Sequence, residues 1–96
     1  MNKLDGTWEV KAKSGPWWFH SLNLVGDKKI ISGASGYNIA KHIKWGKFEI
    51  RDSDGICLHY KNLPIVDKVK FVNNNNLLGK FFWRNKYVGD FIMTRK

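Results

Sequence analysis

The feature that most constrains the fold of this chain is a two-residue alternation near its C-terminus. In LLGKFFWRNKYVGDFIMTRK, residues 77–96, Leu77, Gly79, Phe81 and Trp83 fall on one side of an extended backbone, with Leu78, Lys80, Phe82 and Arg84 on the other. Tyr87, Gly89, Phe91, Met93 and Arg95 then alternate with Val88, Asp90, Ile92 and Thr94. A period of two fits a half-buried strand and not a helix, because successive strand side chains point to opposite faces. The polar break at Arg84, Asn85 and Lys86 joins the two runs as a hairpin. A three-residue loop would set Trp83 opposite Tyr87 and bring both mostly apolar rows to one face, which the sheet must cover.

The same pattern recurs upstream. Leu4 to Lys13 opens on Asp5-Gly6, a turn signal, and then alternates Trp8, Val10 and Ala12 with Glu9, Lys11 and Lys13. Ser14-Gly15-Pro16 breaks that run. Trp17 to Val25 puts Trp18, His20, Leu22 and Leu24 on one row of a second strand. Gly26-Asp27 turns the chain into Lys28 to Ser32, and SGASG reads as irregular. Tyr37 to Arg51 reads as a strand whose alternation changes phase at Gly46, the mark of a bulge or tight turn. Ile39, Ala40 and Ile43 leave a short amphipathic helix as the competing reading of its first part. DSDG at 52–55 turns into Ile56, Leu58 and Tyr60, which alternate with Cys57, His59 and Lys61. Ile65 to Val72 follows the Asn62-Leu63-Pro64 turn, and Asn73 to Asn76 leads into the hairpin.

About eight short strands joined by short polar turns most simply pair with their neighbours. An open meander of that length leaves two exposed edges, so the expectation is an all-β, single domain over residues 1–96: a small antiparallel up-and-down barrel or a strongly curved meander.

Composition narrows the function classes. Seventeen Lys and Arg against eight Asp and Glu give a formal charge of +9, enough to attract nucleic acid, acidic surfaces or anionic small molecules. All the basic residues except Arg51, Arg84 and Arg95 are lysines, many on exposed alternating rows, where they also keep sheet edges unpaired. Cys57 is the lone cysteine, which excludes an internal disulfide and multi-cysteine metal sites. Cys57 and His59 share one strand face without a third ligand nearby, so no metal site and no cofactor are expected. No signal sequence is apparent at Met1 to Gly6, and no apolar run approaches the roughly 18 residues of a membrane helix. The expected setting is cytoplasmic.

Gly6-Thr7-Trp8 in the first strand and Thr94-Arg95 in the last resemble the calycin superfamily: lipocalins, fatty-acid-binding proteins and avidins. The resemblance implies an up-and-down barrel in which Trp8 lies under Arg95 and both are structural. A Trp face under a guanidinium is a cation–π contact that plugs one barrel end.

Three functional readings result. The first is a small amphipathic or anionic ligand held in an aromatic-lined lumen, with Trp18, His20, Phe71, Trp83, Tyr87, Phe91 and Met93 as lining and Asp67 as polar anchor. Asp67 shares a row with Ile65, Val69 and Phe71 while Lys68 and Lys70 point away, an unusual place for a carboxylate. The second is RNA or single-stranded DNA bound through Lys44, Trp45, Lys47, Lys80, Arg84 and Lys86, where aromatic and basic residues interleave. The third is a small acid–base enzyme using Asp67 and His20. No phosphate loop, HExxH or Gly-x-Ser-x-Gly motif supports an enzyme.

Overall fold

In the computed structural model, eight antiparallel strands close into a barrel in simple sequence order. The structure describes residues 4–17, 28–40, 43–52 and 55–96. The strands are β1 (Gly6–Ser14), β2 (Lys28–Ser32), β3 (Ser35–Ala40), β4 (Ile43–Asp52), β5 (Ile56–Tyr60), β6 (Ile65–Asn73), β7 (Asn76–Trp83) and β8 (Lys86–Arg95). β1 closes the ring by pairing with both β2 and β8, Gly6 opposite Ile31 and Trp8 opposite Arg95. Closure removes the two edges that an open meander would expose.

The strand expected at Trp17 to Val25 falls mostly outside the described residues, and the barrel closes without it. The count of eight is met because the Tyr37 to Arg51 segment divides between β3 and β4, both strands, and β3 begins at Ser35. The SGASG tract is thus a tight turn at Gly33 and Ala34, not an irregular stretch: Ser32 pairs with Ser35, and Gly33 takes a φ of 64°. The phase change at Gly46 is a bulge. Gly36 and Asn38, two apart on β3, face Phe48 and Trp45, three apart on β4. Gly46 takes a φ of 60° there, which a side chain tolerates poorly.

The C-terminal hairpin has a two-residue loop, with Trp83 opposite Lys86, rather than the three-residue loop that places Trp83 against Tyr87. Arg84 and Asn85 adopt φ values of 50° and 67°, the left-handed pair that a tight turn between twisted strands requires. A second irregularity follows between Phe81 and Phe82: Phe81 faces Gly89, but Phe82 faces Tyr87, so β8 carries an extra residue. That residue shifts Tyr87 off the row of Gly89, Phe91 and Met93.

The inward rows make the core. Trp8, Phe48, Leu58, Leu77 and Met93 are fully buried, with Ile31, Val69 and Phe91 around them. Gly79 lets β7 approach β8 closely, since a methyl group built there would lie 2.2 Å from the Phe91 ring. Among the described residues no helix is long and apolar enough to cross a membrane.

Candidate functional site

The two barrel ends differ. At one, Trp8 is wholly buried and donates its indole N–H to the Leu4 carbonyl at 2.8 Å. The Arg95 guanidinium lies 4.3 Å from the Trp8 ring centroid and donates to the Asp5 carbonyl at 2.7 Å and to the Asn74 carbonyl at 3.4 Å. Phe71 meets Trp8 edge-on at 6.4 Å. Asn73 caps the adjoining turn, its side-chain oxygen accepting from the Asn75 amide at 2.9 Å. This end is a built plug, as the placement of Trp8 under Arg95 requires.

Toward the other end the interior turns polar. Tyr60 is the last residue of β5 and Asp67 the third of β6, toward the end opposite Arg95, while Lys29, the second residue of β2, stands directly across from Trp8. Their side chains meet inside the barrel. Lys29 Nζ lies 3.3 Å from Asp67 Oδ2 and donates to Asn38 Oδ1 at 2.7 Å and to the Tyr60 hydroxyl. The Tyr60 hydroxyl donates to Asp67 Oδ2 at 2.8 Å and accepts from Asn38 Nδ2 at 3.2 Å. Asn38 Nδ2 also reaches the Gly46 carbonyl at 3.3 Å, so the bulge helps to orient it. A Cβ on Gly46 would stand 2.8 Å from that nitrogen.

Lys29, Asn38 and Asp67 are all buried, at 4%, 1% and 1% exposure. Three rings surround the ammonium: Tyr60 at 5.1 Å, Phe48 at 5.3 Å and Phe91 at 5.9 Å from Nζ to centroid. Ring faces favour a cation where water is excluded. Burial pushes the Asp67 carboxyl up and the Lys29 ammonium down from their ordinary values, and their mutual attraction opposes both shifts. Tyr60 is pushed well above 10, first by burial and then by the Asp67 charge.

One atom in the cluster is unsatisfied. Asp67 Oδ1 is buried without a hydrogen-bond partner. Buried carboxylate oxygens are costly when unpaired, and such an orphan invites a donor.

The residues named from sequence divide accordingly. Asp67, Phe91 and Met93 are interior. Phe71 is half-buried but belongs to the Trp8 plug. Trp83 continues the inward row of β7 to the far rim, opposite Ile65, and is 41% exposed. Tyr87 is not lumenal: the β8 bulge turns it to the outer wall, 54% exposed, where its hydroxyl donates to Asp90. Trp18 and His20 lie outside the described residues, so the Asp67–His20 pair is not part of the described site. Lys44, Trp45 and Lys47 sit on β4, whereas Lys80, Arg84 and Lys86 sit on β7, its tight turn and β8, which are not neighbours of β4 in the ring. Among the described residues, no group of His, Cys, Asp and Glu is gathered to hold a metal ion.

Lys29, Asn38 and Tyr60 are the site residues that sequence reasoning missed. The signal for Lys29 is its row: in KKIIS it alternates with Ile31, so when Ile31 points inward Lys29 does too.

No protein-family model matches this chain, and no curated protein does. A solved structure does: the crystal structure of a protein from Thermomonospora curvata, at 17% identity and a TM-score of 0.76, covering 98% of this chain and 76% of that one. At that identity the likeness establishes the class, a closed antiparallel barrel, and speaks to the fold alone.

Proposed function

We propose that the barrel binds a small amphipathic molecule in its far half, with the Lys29–Asp67–Tyr60–Asn38 cluster as the polar floor. The observation that carries this reading is the orphaned Oδ1 of Asp67 inside a cluster otherwise fully hydrogen-bonded. A barrel this small can fill itself with apolar side chains, and a buried ion pair is rarely the more stable choice. Ile65, Phe81 and Trp83 continue the inward rows past the cluster and supply the apolar contact. The closed barrel and the Trp8–Arg95 contact support a calycin-like protein, plugged at one end and loaded from the other.

The free oxygen selects the head group. Lys29 is already neutralised by Asp67, and an anionic head beside Oδ1 meets like charge, so a hydroxyl or ammonium donor is favoured. Because Oδ1 is sealed in this structure, the side chains at the far end must part for entry.

Isothermal calorimetry with three probes of equal tail length, octanol, octylamine and octanoate, tests this. Octanol or octylamine should bind more tightly than octanoate, and Trp83→Ala should weaken the interaction. No heat from any probe, or a preference for octanoate, overturns the assignment.

A further inference from the structure

The outer wall of β6, β7 and β8 carries an arrangement that the lumen does not explain. Outward side chains lie in lanes across the strands. Val66, Phe82 and Tyr87 form one lane. Lys68, Lys80 and Asp90 form the next, and Lys70, Leu78 and Ile92 the one after. Lys68 and Lys80 are therefore direct cross-strand neighbours. Like charges so placed repel at a strand spacing of about 4.8 Å.

Among the described residues neither lysine is in an ion pair: the pairs join Glu9 to Lys11 and Lys96, Glu49 to Arg51 and Lys61, and Asp67 to Lys29. Asp90, beside Lys80, accepts instead from the Tyr87 hydroxyl at 2.7 Å. Lys68 turns its ammonium over the Phe82 ring at 5.1 Å. Phe82 in turn meets Tyr87 edge-on at 5.9 Å, and that contact together with the Asp90 bond holds the exposed Tyr87 ring in one orientation. Two adjacent lysines outside any ion pair thus lie beside a solvent-facing aromatic ring.

We propose that this wall binds single-stranded nucleic acid, with Tyr87 stacking on a base and Lys68, Lys70 and Lys80 contacting the backbone. Each half of the arrangement matches one part of that partner: phosphates answer the lysine lane, and any base offers a π-face to the ring. An acidic protein segment would satisfy the lysines without using the bare ring. A membrane surface calls for basic residues around a protruding apolar tip, whereas here rings and lysines interleave on a sheet. The site is separate from the lumen, and its test does not depend on the ligand proposed there.

Fluorescence anisotropy with a labelled oligothymidylate of about 12 nucleotides tests the assignment. Binding should weaken steeply with salt, and Lys68→Gln with Lys80→Gln should reduce the log–log salt slope by about 1.4. Tyr87→Ala should weaken binding about five- to hundredfold at fixed salt while leaving the slope nearly unchanged. Lys44→Gln with Lys47→Gln, on the opposite wall, serves as the matched charge control. Equal losses from both lysine pairs would mean diffuse attraction to a basic protein and overturn the site, as would no binding at low salt. Binding only to phosphatidylserine vesicles or only to polyglutamate would also overturn it.

Discussion

The Lys29 ammonium and the Asp67 carboxylate meet at 3.3 Å from strands that stand opposite each other in the ring, β2 and β6. The pair is therefore a crossbar through the lumen, braced by Asn38 from β3 and Tyr60 from β5. Trp8 stands directly across from Lys29, and on the other side of the pair the inward rows of β6 and β7 run on to Ile65 and Trp83. A tie between opposite walls holds only while both of its ends are present.

Removing one end should therefore be far worse than removing both. Lys29→Met or Asp67→Leu alone leaves a buried charge without its partner and should cost about 3–5 kcal/mol in urea unfolding. The double variant should recover that loss and reach wild-type stability or slightly above. Additive losses would show that the two residues do not act as a pair.

Alkaline pH should expose Tyr60. Its folded-state pKa lies above the unfolded value near 10, so its contribution to stability is complete below that value and is lost as pH rises toward the folded one. Ultraviolet titration of the three tyrosines should show at least one that ionises only as the barrel unfolds. Tyr60→Phe should abolish that late step. Ionisation of all three before unfolding would contradict the burial of Tyr60.

At the plugged end, Trp8→Ala should cost about 3–5 kcal/mol as a truncation of a fully buried side chain. Arg95→Lys should also destabilise, measurably though less, because an ammonium cannot stack on the indole and reach the Asp5 and Asn74 carbonyls with one planar fork. Thermal unfolding of the two variants checks the order. An Arg95→Lys protein as stable as wild type would mean that the stack contributes little.

Gly79→Ala should destabilise by about 1–3 kcal/mol, because the added methyl would collide with the Phe91 ring. Combining it with Phe91→Leu should relieve part of the clash. Guanidinium unfolding of the single and double variants measures this, and two additive losses would place the conflict elsewhere.

These residues also mark how far the sequence could be read. Alternation brought out the rows of β1, β7 and β8, the phase change at Gly46 and the misplaced carboxylate of Asp67, because each is local to one strand. The partners of Asp67 were not legible. Lys29, Asn38 and Tyr60 come from three other strands, and which side chains meet across a lumen depends on the tilt and stagger of the whole barrel. The placement of Tyr87 failed for a similar reason. One extra residue in β8 reverses the facing of everything before it, and only the pairing with β7 reveals it. Tyr37 to Arg51 hid a strand boundary because Ile39, Ala40 and Ile43 read as one apolar pattern with no glycine, proline or asparagine between them, although β3 ends at Ala40 and β4 begins at Ile43.

The most direct test of the lumenal site is the native mass of the protein taken from its own cells, compared with its denatured mass, for wild type and for the Lys29→Met/Asp67→Leu variant. The wild type should carry an excess of a few hundred daltons, a compound bearing a hydroxyl or amine. The folded variant should lack that excess. Equal native and denatured masses in the wild type, or an excess that survives in the variant, would contradict the lumenal site.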